Sequence, residues 1–445
     1  MCNFVYNYHN YILKCIEITG MKTKILLSLV FAMTLQCFAK NDLQPYQKAA
    51  IATRFASEVK YNFAGYDKFA QNYDSICRAI LPSLIATQSD EEFNKKLQLF
   101  AGMLKDGHTC IVTNEDVTFA PISQKRIGDR VFVTKVYSDE YTQKGVTRGT
   151  ELIAIDDIPV IEYGKKYVVP YVPSSTPQWS ETYPFSSVVL TLGGRGVPVK
   201  LTFRNADGKT IDITDSRQSP WSAVSPDLSV KFDSLPGNIG LLRIPSFMSD
   251  YFDPEALAEI YKQKILPTDG LIVDIRDNTG GNSSMGQFIM MLLATDMIPQ
   301  ASWETPEYVA AFASWGRKMQ PRIERNDSVP PYYLALPNEI TKYDKPIVLL
   351  VNSSTFSAAE DFTVLFRNAG RGKIIGTPTG GSTGNPISID LGWGYSGRIC
   401  TRHERLADGT EFIGIGIQPD IVVEETESVI TGKDNVIEEA LKLLN

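Results

Sequence analysis

The sequence predicts an α/β protein whose core is a parallel sheet flanked by helices. From about residue 237 onward, short apolar runs alternate with segments of helical periodicity, a pattern typical of a parallel sheet. A helical stretch (residues 40–118) and a β-rich stretch (residues 119–215) precede this core, which we assign to residues 216–445. We therefore expect an N-terminal helical domain, a separate β domain and an α/β core.

Composition and charge exclude some classes of function. The 445 residues are 43% apolar and 21% charged, which is ordinary for a globular protein of two or three domains. A net charge of −7 without a basic stripe argues against nucleic-acid binding. Clusters of cysteine and histidine with metal-ligand spacing are absent from the sequence, so we expect neither a metal site nor a cofactor.

The segment Met21–Ala39 has the pattern of a secretory signal. Two lysines precede an apolar run that ends at the small residue Ala39. We expect residues 1–39 to be an untranslated extension plus the signal peptide, and the mature chain to be periplasmic or extracellular. Membrane attachment is expected only if Cys37 is lipidated.

The helical stretch ends in an Asp-Gly turn that places His108 on a connection before a β-branched segment. After removal of the signal, His108 and His403 are the remaining histidines, so a serine nucleophile would have two candidate imidazole bases. A surface histidine in a turn is the structural alternative for His108.

Within the β-rich stretch, Gly145–Asp157 (GVTRGTELIAIDD) is similar to the G-D-x-I-x-x-I-N-G pattern of PDZ domains. Thr150 replaces the usual aspartate, and Asp156-Asp157 replaces the usual Asn-Gly. PDZ domains bind an extended chain end as an added strand. A β domain without a ligand is the alternative.

The core contains two strand–turn–helix units with polar turns. One carries Gly280-Gly281, where backbone without a Cβ can approach a ligand closely, although an ordinary tight turn has the same composition. The other places Ser357 at the start of a helix, where backbone N–H groups can stabilise an oxyanion. Ser357 could equally be a simple N-cap. Residues 298–343 lack a clear period and are predicted to be an insertion over the core.

The glycine-rich loop 377–385 contains GGSTG, which formally matches G-x-S-x-G. Asn385 and Pro386 follow it instead of a helix, so the loop does not fit a nucleophile turn and Ser382 is not assigned as one.

Six motifs occur in a specific order: DGHT, GVTRGTELIAIDD, LIVDIRDNTGGN, NSSTFSAAEDF, IGTPTGGSTG and GIGIQPDIVV. Together they resemble the C-terminal processing (tail-specific) serine peptidases, more closely the branch that includes the tricorn core and the interphotoreceptor retinoid-binding protein. The resemblance implies a crotonase-like (ClpP-like) α/β core with an inserted PDZ-like domain and an N-terminal helical domain.

The resemblance also implies roles for individual residues. Ser357 matches the nucleophile, and Ala358 and Gly280 match the two oxyanion donors, with Gly281 beside them at the substrate. Classical members use a lysine base whose register falls near Ser382, whereas the tricorn-like branch uses the histidine of the DGHT-type motif, here His108.

One position departs from the tricorn-like pattern. A glutamate is expected directly before G-x-G-I, where this chain has Ile413. Glu411 lies two residues earlier, on the same face of a strand but ~6.6 Å away, and is the remaining candidate for the acid. Gly107 likewise replaces a helper serine.

We therefore expect an exported serine endopeptidase that cleaves unfolded or C-terminal segments of proteins through a Ser–His acyl-enzyme mechanism. The alternative is a peptide- or apolar-ligand-binding protein on the same scaffold, since the glutamate is missing. The sequence does not indicate the natural substrate or the oligomeric state.

Overall fold

The structure is a computed structural model that describes residues 42–68, 72–113, 115–186, 189–220, 227–307, 322–325 and 341–444. The predicted signal peptide, Cys37 and most of the predicted insertion 298–343 lie outside the described residues. From Tyr46 onward the chain forms one compact unit. Within the described ranges, no helix has the length and hydropathy needed to cross a membrane.

The N-terminal segment is helical, as predicted. Its helices are α1 (Pro45–Asn62), α2 (Tyr73–Ile85) and α3 (Asp90–Gly102). Helix α3 starts at Ser89, whose hydroxyl accepts the N–H of Glu92 at 3.1 Å, while the Glu92 carboxylate accepts the N–H of Gln88. After α3, residues 103–109 lead to strand β1 (Cys110–Val112), which pairs with residues 396–398 of the core.

The β-rich segment has an apolar core of its own. Its elements are β2 (Val117–Thr118), β3 (Ile122–Ile127), β4 (Arg130–Val136), α4 (Asp139–Gln143), β5 (Glu151–Ile155), β6 (Ile158–Pro159), α5 (Val160–Tyr167), α6 (Pro177–Thr182), β7 (Gly193–Gly194), β8 (Val199–Arg204) and β9 (Thr210–Asp215). The main antiparallel sheet has the order β3-β4-β5-β8-β9. Asp156 and Asp157 both have positive φ, 49° and 62°, in the tight turn between β5 and β6, a conformation that Asn-Gly usually supplies.

The remaining elements belong to the α/β core. They are β10 (Lys231–Leu235), β11 (Ile239–Arg243), α7 (Pro254–Ile260), β12 (Gly270–Asp274), α8 (Ser283–Leu293), β13 (Ser302–Glu307), β14 (Arg322–Arg325), β15 (Ile347–Val351), α9 (Ala358–Asn368), β16 (Gly372–Gly376), β17 (Ile387–Gly392), β18 (Tyr395–Ile399), β19 (His403–Arg405), β20 (Ile421–Val422), α10 (Ser428–Thr431) and α11 (Asn435–Leu444). The central sheet has the order β10-β11-β12-β15-β16-β20 and is parallel from β11 to β20. The predicted α/β class is therefore confirmed.

Helices cover both faces of the central sheet. Side chains of α7, α8 and α9 pack on one face, and those of α11 pack on the other. Parallel strands end at the same edge of a sheet, so the turns that follow β12 and β15 lie side by side. The Phe356 N–H donates to the Asn278 carbonyl at 3.0 Å, and the Asp277 N–H donates to Asn352 Oδ1 at 3.0 Å. This shared edge carries the candidate site.

Candidate active site

Ser357 lies in a strained turn between β15 and α9. Its φ of 58° and ψ of −125° place a non-glycine residue in a sparsely populated region, as is common at functional sites. The Ser357 hydroxyl makes no capping bond to α9; its Oγ lies 2.9 Å from His108 Nε2. The geometry thus favours the nucleophile interpretation of Ser357 over the N-cap interpretation.

His108 lies on the predicted connection between α3 and β1, and its side chain is buried. The Asp106 carboxylate fixes the backbone, because Asp106 Oδ1 accepts the N–H groups of His108 at 3.0 Å and Thr109 at 2.6 Å. The structure therefore brings together Ser357 and His108, which are 249 residues apart in the chain.

A row of stacked rings holds the imidazole in place. The His108 ring stacks on Phe356 at 4.8 Å, Phe356 on Trp179 at 4.0 Å, and Trp179 on Tyr183 at 4.3 Å between centroids. Trp179 belongs to α6 of the β-rich segment. The imidazole plane is thus set by residues of both the core and the inserted segment.

Ser382 occupies the other nitrogen of the imidazole. Its Oγ lies 2.8 Å from His108 Nδ1, and its side chain is fully buried. The Ser382 carbonyl also accepts the Ser357 N–H at 3.1 Å, which fixes the two serines on either side of the ring. If His108 accepts the Ser357 proton at Nε2, its Nδ1 carries hydrogen and donates to Ser382 Oγ.

The carboxylate of Glu360 holds the loop that carries Ser382. Glu360 Oε1 accepts the Thr379 hydroxyl at 2.5 Å and the Gly381 N–H at 2.8 Å, and Oε2 accepts the Ser382 N–H at 2.8 Å. Glu360 lies in the first turn of α9 and is completely buried. A negative charge is favourable at this end of a helix.

Burial determines the protonation states of His108 and Glu360. Burial, assisted by the positive charge of Arg398, lowers the pKa of His108 to about 3. The same burial raises the pKa of Glu360 to about 7. At neutral pH the imidazole is therefore unprotonated, as a general base must be.

The two predicted oxyanion donors, Gly280 and Ala358, differ in whether the N–H group already has an acceptor. A Cβ on Gly280 would lie 2.7 Å from Ser357 Cβ and 2.9 Å from Ala358 N, so the position requires glycine. The Gly280 N–H already donates to Asn278 Oδ1 at 2.8 Å. Ala358 is the first residue of α9, and among the described residues no acceptor receives its N–H.

Gly281 has a packing role in this structure. Its φ is 142°, and a Cβ there would lie 2.3 Å from the Phe247 carbonyl carbon. Residues 280–282 hydrogen-bond with the backbone of Phe247, so the glycine pair is more than an ordinary tight turn.

The structure does not bring Glu411 to His108. The Glu411 carboxylate binds His403 Nε2 at 2.7 Å and Arg405 Nε at 3.1 Å, because its backbone bridges to the β19 strand that carries them. Ser382, and not the candidate acid Glu411, lies next to His108 Nδ1. The pairing with Glu411 occupies Nε2 of His403, the second candidate base, whereas the imidazole that contacts Ser357 Oγ is that of His108.

Sequence reasoning missed Ser382 and Glu360 as site residues. The signals that could have found them were weak: the register of the classical lysine base falls near Ser382, and a glutamate follows two alanines on the apolar side of α9. Neither signal shows which long-range contact the residue makes.

An apolar cavity of about 350 Å³ opens beside Ser357 and His108. Its lining includes Gly107, Thr279 and Phe356, which adjoin His108, Gly280 and Ser357 in the chain, and also Tyr171 and Val172. Its described lining contains no charged side chain.

Comparison with known proteins finds a family match within the core. Residues 238–423 match the sequence profile of peptidase family S41. A carboxy-terminal-processing protease of Bartonella bacilliformis is 31% identical over 238 residues, which cover 52% of this chain and 48% of the relative. The chain spans about half the length of the curated relatives it matches. The resemblance to C-terminal processing peptidases is thereby confirmed.

Solved structures support the fold. Mature CPAF complexed with lactacystin has a TM-score of 0.71 at 15% identity, covering 90% of this chain and 98% of CPAF. The photosystem II D1 C-terminal processing protease has a TM-score of 0.50 at 18% identity, covering 85% and 93%. At these identities the likeness shows the fold alone.

Proposed function

Residues 238–423 form a peptidase family S41 domain, and from this premise we propose that the protein is a serine endopeptidase of the C-terminal processing type. The observation that carries the proposal is the contact of 2.9 Å between Ser357 Oγ and His108 Nε2, with Ser382 Oγ 2.8 Å from Nδ1. Nucleophile, base and orienting group in this order are the general arrangement of an activated serine.

In the proposed reaction, Ser357 Oγ attacks the substrate carbonyl carbon while its proton moves to His108 Nε2. The resulting imidazolium donates its Nδ1–H to Ser382 Oγ and then delivers the Nε2 proton to the leaving amine as the C–N bond breaks. Water repeats the sequence on the acyl-enzyme. The Ala358 N–H stabilises the oxyanion, and the Gly280 N–H joins it after exchanging Asn278 Oδ1 for the substrate oxygen.

The substrate is an unfolded or C-terminal protein segment. The apolar cavity beside His108 would take an uncharged, apolar side chain next to the scissile bond, since burying a charge there without a partner is costly. The β-rich segment would act as a PDZ-like module that binds an extended chain end, which its open sheet and Asp156-Asp157 turn support. The core would correspond to the crotonase-like (ClpP-like) fold, and α1–α3 to the N-terminal helical domain.

We also propose that the protein is exported through the signal at Met21–Ala39, with membrane attachment only if Cys37 is lipidated. The binding-protein alternative rested on the glutamate missing from position 413. Ser382 fills the place next to His108 Nδ1, so the geometry favours the peptidase.

Cleavage of casein by the mature chain from Lys40 tests this function. We expect activity in the wild type and its loss in Ser357→Ala and His108→Ala. Ser354→Ala in the same turn and His403→Ala are the matched controls and should retain activity. Retention of proteolysis by Ser357→Ala would contradict the proposal.

A further inference from the structure

Glu360 is a buried carboxylate that the mechanism above does not use. Its carboxylate accepts three hydrogen bonds from residues 379–382, the loop that places Ser382 on His108, and it also interacts with the Ser357 N–H. The Thr379 hydroxyl in turn accepts the Ile417 N–H at 2.7 Å, so the carboxylate is tied to a second segment of the core. The loop is therefore held on Glu360 rather than exposed to solvent.

The charges near Glu360 are few. Asp361 follows it on α9 and bonds Ser283 Oγ, and Glu404 on β19 faces Asp361. His108 lies across Ser382, while loop 377–382 and segment 414–417 carry no titratable side chain. In the described part of the chain, no lysine or arginine forms an ion pair with Glu360.

We propose that Glu360 is a positioning residue: its ionised carboxylate fixes Ser382 so that Ser382 Oγ accepts the His108 Nδ1–H. This role rests on the proposed peptidase function. A serine hydroxyl accepts a hydrogen bond from the imidazolium only while its oxygen faces Nδ1. Glu360 keeps the hydroxyl there by holding the N–H of the same residue, Ser382.

Protonation of Glu360 would weaken this arrangement. An ionised carboxylate is an acceptor on both oxygens, whereas a protonated one carries an O–H that faces the N–H donors of the loop. Burial raises the pKa of Glu360 to about 7 and lowers that of His108 to about 3. Between pH 5.5 and 8.5, Glu360 therefore changes charge while the His108 base stays neutral. A change in the position of Ser382 over this range then reports the ionisation of Glu360.

Nuclear magnetic resonance on the full mature chain tests the coupling without requiring activity. With ¹⁵N-labelled Gly and Ser and ¹³C-labelled His, we expect the amides of Gly381 and Ser382 and the ring of His108 to shift together, with one inflection near pH 7. The His403 ring is the internal control. Amides of Gly381 and Ser382 that titrate while the His108 ring stays constant would overturn the proposal.

Glu360→Gln and its matched control Asp361→Asn each remove one carboxylate from adjacent residues. We expect Glu360→Gln to lose the His108 inflection and to lower kcat/KM at pH 8 by about 10- to 100-fold, mainly in kcat, because the side chain does not touch substrate. Asp361→Asn should retain the inflection near pH 7. A lost inflection in Asp361→Asn with a retained one in Glu360→Gln would overturn the assignment.

The outcomes separate this inference from the proposed function. A wild-type protein that titrates as expected but neither cleaves nor reacts with a phosphonate supports the link between Glu360 and Ser382 and overturns the peptidase. A wild type that cleaves, with kcat/KM independent of Glu360 ionisation, supports the peptidase and overturns the positioning role. Should Glu360→Gln fail to fold, the wild-type titration alone decides.

Discussion

Ser382→Ala isolates the hydroxyl that contacts His108 Nδ1. The substitution removes Oγ but leaves the Ser382 N–H on Glu360 and the Ser382 carbonyl on the Ser357 N–H. The loop therefore keeps its backbone contacts, and the change falls on one hydrogen bond of 2.8 Å.

The size of the effect follows from the burial of that bond. Alanine leaves the Nδ1–H without its acceptor, and an unsatisfied buried donor costs about 1–3 kcal/mol. Because 1.36 kcal/mol corresponds to a tenfold change in rate, we expect kcat/KM to fall by about 5- to 150-fold. If Glu360 acts through Ser382, Glu360→Gln added to Ser382→Ala should lower kcat/KM by less than about threefold more.

The assay is hydrolysis of a quenched fluorescent peptide by wild type, both single variants and the double variant. Ser354→Ala is the matched control, because this buried serine lies in the nucleophile turn without touching His108. A Ser382→Ala enzyme within twofold of wild type would refute the role of the hydroxyl. Fully additive losses in the double variant would refute the link to Glu360.

The remaining predictions concern packing, stability and the cavity. Gly280→Ala should lower kcat/KM by at least about 100-fold and also lower the melting temperature, because at a φ of 95° the added methyl would lie 2.7 Å from Ser357 Cβ and 2.8 Å from the Phe356 carbonyl oxygen; wild-type rates would contradict this. Burial raises the pKa of Glu360 from its ordinary 4.5 to about 7, so between these pH values the folded chain binds a proton that the unfolded chain lacks. From pH 4.5 to 7 the wild-type free energy of unfolding should therefore fall by about 3 kcal/mol relative to that of Glu360→Gln, as measured by urea titration; parallel curves would contradict this. Val172→Trp should fill the cavity and raise KM about tenfold for peptides with a bulky apolar residue, while the exposed Val197→Trp should not.

The elements that local pattern controls were predictable from the sequence. Strands β12 and β15 are continuous apolar runs because both of their faces are covered, and α9 shows its buried face by spacing alone. The turn between such a strand and helix made Ser357 a candidate for a nucleophile or an N-cap, and the resemblance to the tail-specific peptidases implied the nucleophile. The scarcity of histidine left two candidate bases, and the same resemblance implied His108.

Contacts between residues that are far apart in the sequence could not be predicted from local patterns. Ser382 and His108 are 274 residues apart, and no periodicity links a glycine-rich loop to a distant turn. The G-x-S-x-G match was weighed only for a nucleophile, so the orienting role of Ser382 was overlooked. Glu411 was considered from its spacing, but the register of its bridge with Arg405 turns it towards His403.

Stoichiometric labelling of Ser357 by a fluorophosphonate tests the central claim most directly, because it reports the activated nucleophile without a known substrate. We expect one phosphonyl group per chain, located on Ser357 by mass spectrometry, with labelling strongly slowed in His108→Ala and partly slowed in Ser382→Ala. A folded wild type that remains unlabelled, or that is labelled at another serine, would contradict the account.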